Sequence, residues 1–416
     1  MMKGVLVIID GLADFPCKQL KNKTPLEAAE KPNLDYISSY SEFGEMRMFN
    51  EMVPQSDSAV LAILGNGHII GYRGVFEAIG LGIKLNRGDL ALRTNFATID
   101  NLEDKNLVDR RSGRTLTTKE ADILANVMNK EVKLSCKFEF VNSIQHRGVL
   151  ILRGGFSDNV TNTDPAYNTK NKTEFEDRLN FSKPLDEEEN SKFSANQINE
   201  FVEQSFKVLN KHHINNERRK KGLLPANVIL TRDASNELPK IRKFNKWAAI
   251  TFMPLEIGIA KASGMEVFSL DYPKMKEYDV YKNLYEALTK LCEFAIKTIK
   301  NNEKKFDYFY IHFKETDVPG HDGLPLEKKG MVELIDRKFF SFLKKFAEKR
   351  KIKILVTPDH ATPCILKNHS NDPVPVLFCE WKKNGNKNFS EFEAKKGKLG
   401  KIKSDKFLEM VGFVKS

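Results

Sequence analysis

Val5-Leu6-Val7-Ile8-Ile9-Asp10-Gly11 is an unbroken apolar run that stops on an acid and a glycine. A run this short and this uniformly apolar reads as a strand covered on both faces, as in the middle of a parallel sheet. Comparable runs stand at 226–230, 306–313, 352–356 and 374–379. Between them, apolar residues recur at helical spacing. One set is Leu284, Leu288, Leu291, Ala295 and Ile299; the other is Met331, Ile335, Phe339, Phe342, Leu343 and Phe346. Strands alternating with helices predict a doubly wound α/β sheet. Such sheets gather ligands at the carboxyl ends of their strands, where Asp10, Asp317 and Asp359 fall.

The middle of the chain has a different texture. Strand-like pieces at 91–99, 138–142 and 149–153 lead into a polar stretch, 159–190, which ends in Asp186-Glu187-Glu188-Glu189. An inserted α+β domain at 91–189 with a mobile surface segment is expected. The core is then discontinuous, 1–90 and 190–416. The basic stretch 395–403 reads as a solvated tail.

Composition narrows the classes of function. The 416 residues carry 67 Lys and Arg against 56 Asp and Glu, a formal charge of 67 − 56 = +11. The basic residues are scattered, and neither zinc-finger spacing nor an RNA-binding aromatic motif accompanies them, so a nucleic-acid partner is not expected. Steering of small anions fits better. The cysteines number 5, odd and without a CxxC pair, which points away from a disulfide framework. No stretch reaches the length of a membrane span and the N-terminal run is too short for a signal peptide, so a cytoplasmic protein is expected.

Candidate chemistry sits where the runs end. Asp10, Asp317, His321, Asp359, His360 and His369 offer carboxylates and imidazoles without thiolate, a donor set suited to manganese, zinc or magnesium. Two such ions can clamp both oxygens of an in-line phosphoryl displacement. Singly, each residue has a plainer reading, a helix cap for an Asp and a satisfied polar group for a His. Pro319 and Gly320 favour a loop around Asp317 and His321. In Pro54-Gln55-Ser56-Asp57-Ser58-Ala59, Ser56 reads either as the N-cap of a helix or as a nucleophile helped by that helix end, with Ser58 as its rival.

Taken together, these motifs resemble a known family. The resemblance runs through Ile9-Asp10-Gly11, Thr24-Pro25-Leu26-Glu27-Ala28-Ala29, Pro32-Asn33-Leu34-Asp35, Ser56-Asp57, Asn95-Phe96-Ala97-Thr98, Asp109-Arg110-Arg111-Ser112-Gly113-Arg114 and His146-Arg147. It continues through 316–323, Asp359-His360 and 369–376. The chain is similar to the archaeal-type, 2,3-bisphosphoglycerate-independent phosphoglycerate mutases of the alkaline phosphatase superfamily. That resemblance implies an alkaline-phosphatase-like doubly wound core with a smaller inserted α+β domain. It implies interconversion of 2-phosphoglycerate and 3-phosphoglycerate, small phosphorylated three-carbon acids, in glycolysis and gluconeogenesis. Ser56 would carry the phosphoryl group. Asp10, Ser56, Asp359 and His360 would hold one divalent ion, and Asp317, His321 and His369 the other. Manganese is the first expectation, with magnesium, zinc or cobalt as substitutes and no 2,3-bisphosphoglycerate.

Arg110, Arg111, Arg114 and Arg147 are candidates for the substrate's carboxylate and phosphate, because a planar guanidinium fork matches both. Their plainer reading is a basic surface turn. Lys314 is a further candidate for phosphate, or a strand-end lysine turned to solvent. His146 reads as a proton carrier or as a structural hydrogen-bonding group. An insert bearing such arginines would close over the core and keep water from the phosphoserine. Two rival functions remain, a metal-dependent phosphomonoesterase on the same core and a catalytically weakened scaffold. The sequence departs from the family at Gln55, where glycine is usual, and at Leu64-Gly65-Asn66-Gly67-His68.

Overall fold

The computed structural model describes residues 2–167, 177–273, 279–385 and 388–415. Among the described residues thirteen strands follow one another. They are β1 (Gly4–Ile9), β2 (Ser41–Arg47), β3 (Leu90–Ile99), β4 (Leu107–Asp109), β5 (Lys137–Asn142), β6 (Arg147–Arg153) and β7 (Val228–Ser235). The remainder are β8 (Trp247–Ile250), β9 (Glu266–Phe268), β10 (Tyr308–Phe313), β11 (Lys353–Thr357), β12 (Val374–Cys379) and β13 (Gly400–Lys403). The chain divides into two compact units. One comprises residues 1–70, 241–273 and 281–416, the other 71–240 and 274–280.

The first unit is built on an eight-stranded sheet in the order β13-β2-β12-β11-β1-β10-β8-β9. Every residue of β1 is buried, as its uniform apolarity predicts. It lies between β10 and β11, parallel to both, and β8 and β9 extend the parallel set beyond β10. On the other side β12 runs antiparallel to β11 and to β2. Leu284, Leu288, Leu291, Ala295 and Ile299 form the buried stripe of the helix Val280–Asn302. The α/β expectation holds here, with antiparallel strands added at one side. Between 331 and 346 the structure differs from an unbroken helix. The helix Pro325–Ile335 passes through a π turn, Asp336–Phe340, into Ser341–Arg350. The π turn lets Asp336 accept from the Leu34 and Asn33 backbone N–H groups at 2.7 and 3.3 Å, capping the helix Pro32–Ser38.

The basic stretch 395–403 keeps its lysines in solvent, as expected, and it is also structured. Its end is β13, a parallel edge strand on β2 with Ile402 buried and its lysines exposed. Lysines on an edge strand discourage further pairing.

The second unit carries an antiparallel sheet in which β3 is central, pairing with β6, β7 and the short β4, while β5 lies beyond β6. The period of two sorts its core. Leu90, Leu92, Phe96, Leu150 and Leu152 join Leu124, Met128, Ile198 and Phe201 from two helices, Thr118–Glu131 and Glu189–Asn210. Ala91, Val149 and Ile151 pack with Val75 and Ala78 of the helix Arg73–Gly80.

The 91–189 boundaries are therefore too narrow. A sheet apolar on both faces needs helices on both, and these come from 73–80 and 189–210. Its strand β7, placed by the sequence in the other domain's sheet, is instead zipped to β3. Part of the polar stretch 159–190 is also tied down. Thr163 donates its backbone N–H to Thr231 O at 2.9 Å and accepts from Thr231 N at 2.7 Å. Residues 168–176 of that stretch lie outside the described residues. Among the described residues no helix is long and apolar enough to cross a membrane.

Beneath this sheet Glu77 and Arg93 are each 2% exposed and paired, and Arg73 Nε reaches the same carboxylate at 3.0 Å. Removing the charge of Glu77 strands a buried guanidinium. Glu77→Gln should lower stability by about 3–5 kcal/mol, read as an earlier urea midpoint by far-UV circular dichroism.

Candidate active site

Parallel register places the first unit's polar cluster. Ile8 pairs with His312 and with Thr357, so the residues just past β1, β10 and β11 emerge at one edge of the sheet. Asp10, Lys314 and Asp359 are those residues. Asp10 N donates to Phe313 O at 2.8 Å, and Gly11 N donates to Asp359 Oδ1 at 3.1 Å. The helix after β8, Pro254–Ala262, contributes Glu256 to the same place.

Three overlapping groups of possible metal donors result, one of them Asp10, Glu256 and His312, and the other two share His360. Asp10, Asp359 and His360 have ligand atoms within 4.8 Å of one another, as do Asp317, His360 and His369. His360 belongs to both. Its Nε2 stands 3.1 Å from Asp10 Oδ1, 3.5 Å from Asp359 Oδ2 and 3.3 Å from Ser56 Oγ. His321 lies beside the second group, with Nε2 3.4 Å from Asp317 Oδ2. Asp317 and His321 share a helical turn, Asp317–Asp322, rather than the loop expected from Pro319 and Gly320. Proline is at home in a helix's first turn, where no intrahelical N–H bond is lost.

Hydrogen bonds select the nitrogen each imidazole presents. His369 Nδ1 donates to Pro54 O at 2.9 Å and His321 Nδ1 to Lys367 O at 3.1 Å. His360 Nδ1 meets Thr362 Oγ1 at 3.1 Å. In all three Nδ1 is engaged and Nε2 is left facing the carboxylates, the arrangement that outer hydrogen bonds impose on metal-binding histidines.

The donors also have unmet capacity. Oδ2 of Asp359, Oε2 of Glu256 and Nε2 of His312 are buried without a hydrogen bond, and the oxygens of Asp10 meet Lys314 and His360. Buried polar atoms rarely stay so, and oxygen and nitrogen donors without sulfur fit a hard or borderline divalent ion. The residues present therefore fit the metals that the sequence pattern implies.

Electrostatics binds the cluster together. Burial opposes the charge of Asp10, but Lys314 and the imidazoles of His312 and His360 outweigh it and hold the carboxyl well below its ordinary range. Asp359 moves the other way, raised by burial and by its neighbour Asp10. Burial opposes the imidazolium of His360, yet Asp359 and Asp10 lift it to about 9. His369 drops to about 4 through burial and the charge of His360. Lys314 is not turned to solvent. Its ammonium contacts Asp10 and lies 3.0 Å from Glu256 Oε1.

Ser56 is the first residue of the helix Ser56–Ile63, with Gln55 as its N-cap, so it is not the cap that the sequence allowed. Ser58 serves the cap instead. Its hydroxyl accepts from Gln55 N at 3.2 Å and donates to Gln55 O at 3.1 Å.

The second unit gathers the arginines. Arg110 is forked onto Asp164 at 2.8 and 2.7 Å. Arg111, Arg114, Arg147 and Arg93 surround His146, which is 3% exposed. Burial and those four charges hold its imidazole well below the ordinary range. Burial and Arg114 bring Arg111 down to about 10. Arg232 joins them, stacked 3.8 Å over the ring of Tyr167.

Sequence reasoning passed over Glu256, His312, Thr362, Arg93 and Tyr167. His312 hides inside an apolar strand, and Glu256 follows a strand, Trp247–Ile250, too short to stand out. Their one visible signal is polarity within or just after an apolar run.

A sequence profile described as 2,3-bisphosphoglycerate-independent phosphoglycerate mutase matches residues 39–215. Proteins of that name from Thermococcus kodakarensis and Methanosphaera stadtmanae are 37% and 36% identical to this chain. The matches cover 96% and 99% of this chain, and 94% and 97% of theirs. The chain belongs to the 2,3-bisphosphoglycerate-independent phosphoglycerate mutase family, a family of isomerases. Among solved structures, a Pyrococcus horikoshii protein superposes with a TM-score of 0.74 at 29% identity, covering 100% of this chain and 98% of its own. A cofactor-independent phosphoglycerate mutase from Thermoplasma acidophilum gives 0.55 at 26%, covering 99% of each.

The raised imidazole of His360 sets a pH dependence for the metal-free protein. Its folded pKa of about 9 exceeds the unfolded value, so its contribution is complete below about pH 6.5 and is lost as pH rises through 9. In EDTA the thermal midpoint should fall between pH 7 and 9.5, and His360→Gln should flatten that fall.

Proposed function

We propose that this chain interconverts 2-phosphoglycerate and 3-phosphoglycerate without 2,3-bisphosphoglycerate, passing the phosphoryl group through Ser56. One observation carries it: the Ser56 hydroxyl, at a helix N-terminus, lies 3.3 Å from His360 Nε2, inside the donor cluster of Asp10, Asp359 and Asp317. The names of the full-length relatives support the same substrate. Asp10, Asp359, His360 and Ser56 would hold one divalent ion, and Asp317, His321 and His369, with His360 close by, the other, manganese being the first choice. When bound, two such ions supply positive charge to the phosphoryl oxygens and favour the ionised serine.

The chain's own groups do the rest. The helix beginning at Ser56 turns its N-terminal dipole toward an incoming phosphate. In the first transfer the Ser56 Oγ–P bond forms as the substrate's ester O–P bond breaks, and the glycerate oxygen takes up a proton. The second transfer reverses these steps onto glycerate's other hydroxyl, so no phosphate is released. Lys314 offsets part of the charge of Asp10 and Glu256 beside the donor cluster. Arg111, Arg114 and Arg147 are the forks we propose for the substrate's carboxylate and phosphate, with Arg110 in support through Asp164. A cytoplasmic setting belongs to the same proposal, supported by five cysteines that form no disulfide.

The test supplies 3-phosphoglycerate and manganese, without 2,3-bisphosphoglycerate, and follows 2-phosphoglycerate and free phosphate together. Formation of 2-phosphoglycerate with little phosphate is expected. Phosphate alone would replace the mutase with a phosphomonoesterase, and neither product would remove both. Ser56→Ala should keep the fold and lower turnover by a factor on the order of 10³ or more. Arg111→Lys should raise KM more than it lowers kcat, because a lysine keeps the charge and loses the fork.

A further inference from the structure

His360 is shared by two of the donor groups, so whatever aims His360 also sets the spacing between them. The side chain that does so is Thr362, which is fully buried. Its hydroxyl donates to Asp317 Oδ1 at 2.7 Å, and its oxygen lies 3.1 Å from His360 Nδ1. A hydroxyl has one proton to give. With that proton on Asp317, its lone pair accepts from His360 Nδ1–H, which commits Nε2 to the Asp10 side. One hydroxyl thus ties a ligand of the first group to a ligand of the second.

Its backbone is held as firmly. Thr362 N donates to Ala13 O at 3.1 Å, and Thr362 O accepts from Lys328 Nζ at 2.9 Å. Lys328 is itself fully buried and is anchored on Asp14 Oδ2 at 2.8 Å. Two glycines make the room. A Cβ on Gly11 would come within 2.6 Å of Thr362 Oγ1 and 2.7 Å of Asp317 Oδ1. A Cβ on Gly320 would come within 2.5 Å of Thr362 O and 2.8 Å of its Cγ2. Gly11 also has φ +59, a conformation that side chains resist.

We propose that Thr362 is the positioning residue that couples the two metal groups, fixing the tautomer of His360 and the orientation of Asp317 in one step. It touches no reacting atom and acts through those two ligands. The proposal rests on the two-metal reading above.

Manganese alone is the probe, titrated into the full chain by isothermal calorimetry and by electron paramagnetic resonance of free Mn²⁺. Thr362→Val keeps the shape and removes the hydroxyl, so His360 Nδ1–H loses its acceptor and Asp317 Oδ1 its donor. Affinity should weaken by about 10–100-fold, with the far-UV spectrum unchanged. Thr362→Ser restores the hydroxyl and should bind manganese much as the parent does. Parent-like affinity in Thr362→Val would overturn the proposal. So would equal loss in Thr362→Ser, since packing of the γ-methyl would then be the cause. Should Thr362→Val not fold, Thr362→Ala makes the same deletion with a smaller side chain and is read the same way. A parent protein that takes up fewer than two Mn²⁺ would overturn the two-metal reading and this coupling with it, a result distinct from a defect confined to the variants.

Discussion

Like charges forced together at the end of a parallel sheet are the constraint on which the first unit depends. Three strands that run side by side in one direction deliver Asp10 and Asp359 to the same edge, and Glu256 arrives from the next connection. All three are fully buried. Unopposed, such a cluster would be costly, since each carboxylate loses its water and repels the others. Lys314 and His360 oppose it from within the protein, Lys314 between Asp10 and Glu256 and His360 between Asp10 and Asp359. That compensation is partial, and Oδ2 of Asp359 and Oε2 of Glu256 remain without a hydrogen bond. Residual negative potential with unmet donor capacity is what fits the cluster to the divalent ion proposed for it, where a fully paired salt bridge would have no such capacity.

The legible part of this arrangement was the part that interrupts a pattern. An acid at the end of an apolar run breaks the run, and Asp10, Asp359 and Asp317 announce themselves that way. His312 breaks nothing visible, because one imidazole in β10 is an ordinary occupant of a strand, and only the register with Ile8 turns it toward Asp10. Glu256 was hidden differently. It sits in the first turn of a helix, where an acid is expected for capping and dipole reasons, so its role depends on which strand precedes it.

Domain limits failed for a related reason. Local pattern identifies a strand but not its partner. Β-strand 226–230 has the apolar texture of a core strand, and the structure extends it to β7 and zips it to β3, more than a hundred residues away. Once β7 joins that sheet, the helix that follows residue 188 and the helix before residue 81 must cover its two faces. The unit therefore grows outward from 91–189 to 71–240. A substrate-binding role for Arg110, Arg111, Arg114 and Arg147 was expected from their planar forks and from the family resemblance. The gathering of arginines around buried His146 required the fold, because Arg93 comes from β3 and Arg147 from β6.

The departures from the family pattern show how a sequence can change around Ser56 without moving it. Glycine before the serine would matter if the backbone there needed positive φ, but Gln55 has φ −102 and ψ 159, open to any residue. The cap is closed by Gln55 main-chain atoms and the hydroxyl of Ser58. That leaves Ser58 engaged and Ser56 free to face His360. At the far end of the same helix, the altered loop is a structural joint. Gly65 takes φ +77, and Asn66 is 2% exposed, with its Oδ1 accepting from Arg242 N at 2.7 Å. That bond fixes the helix's exit to the segment that begins β8's approach, a task in which the side chain matters and the reaction does not. Both changes fall on residues that hold the Ser56 helix in place. Selection on the chemistry can leave such positions free to drift as long as the helix starts at the same point and aims the same way.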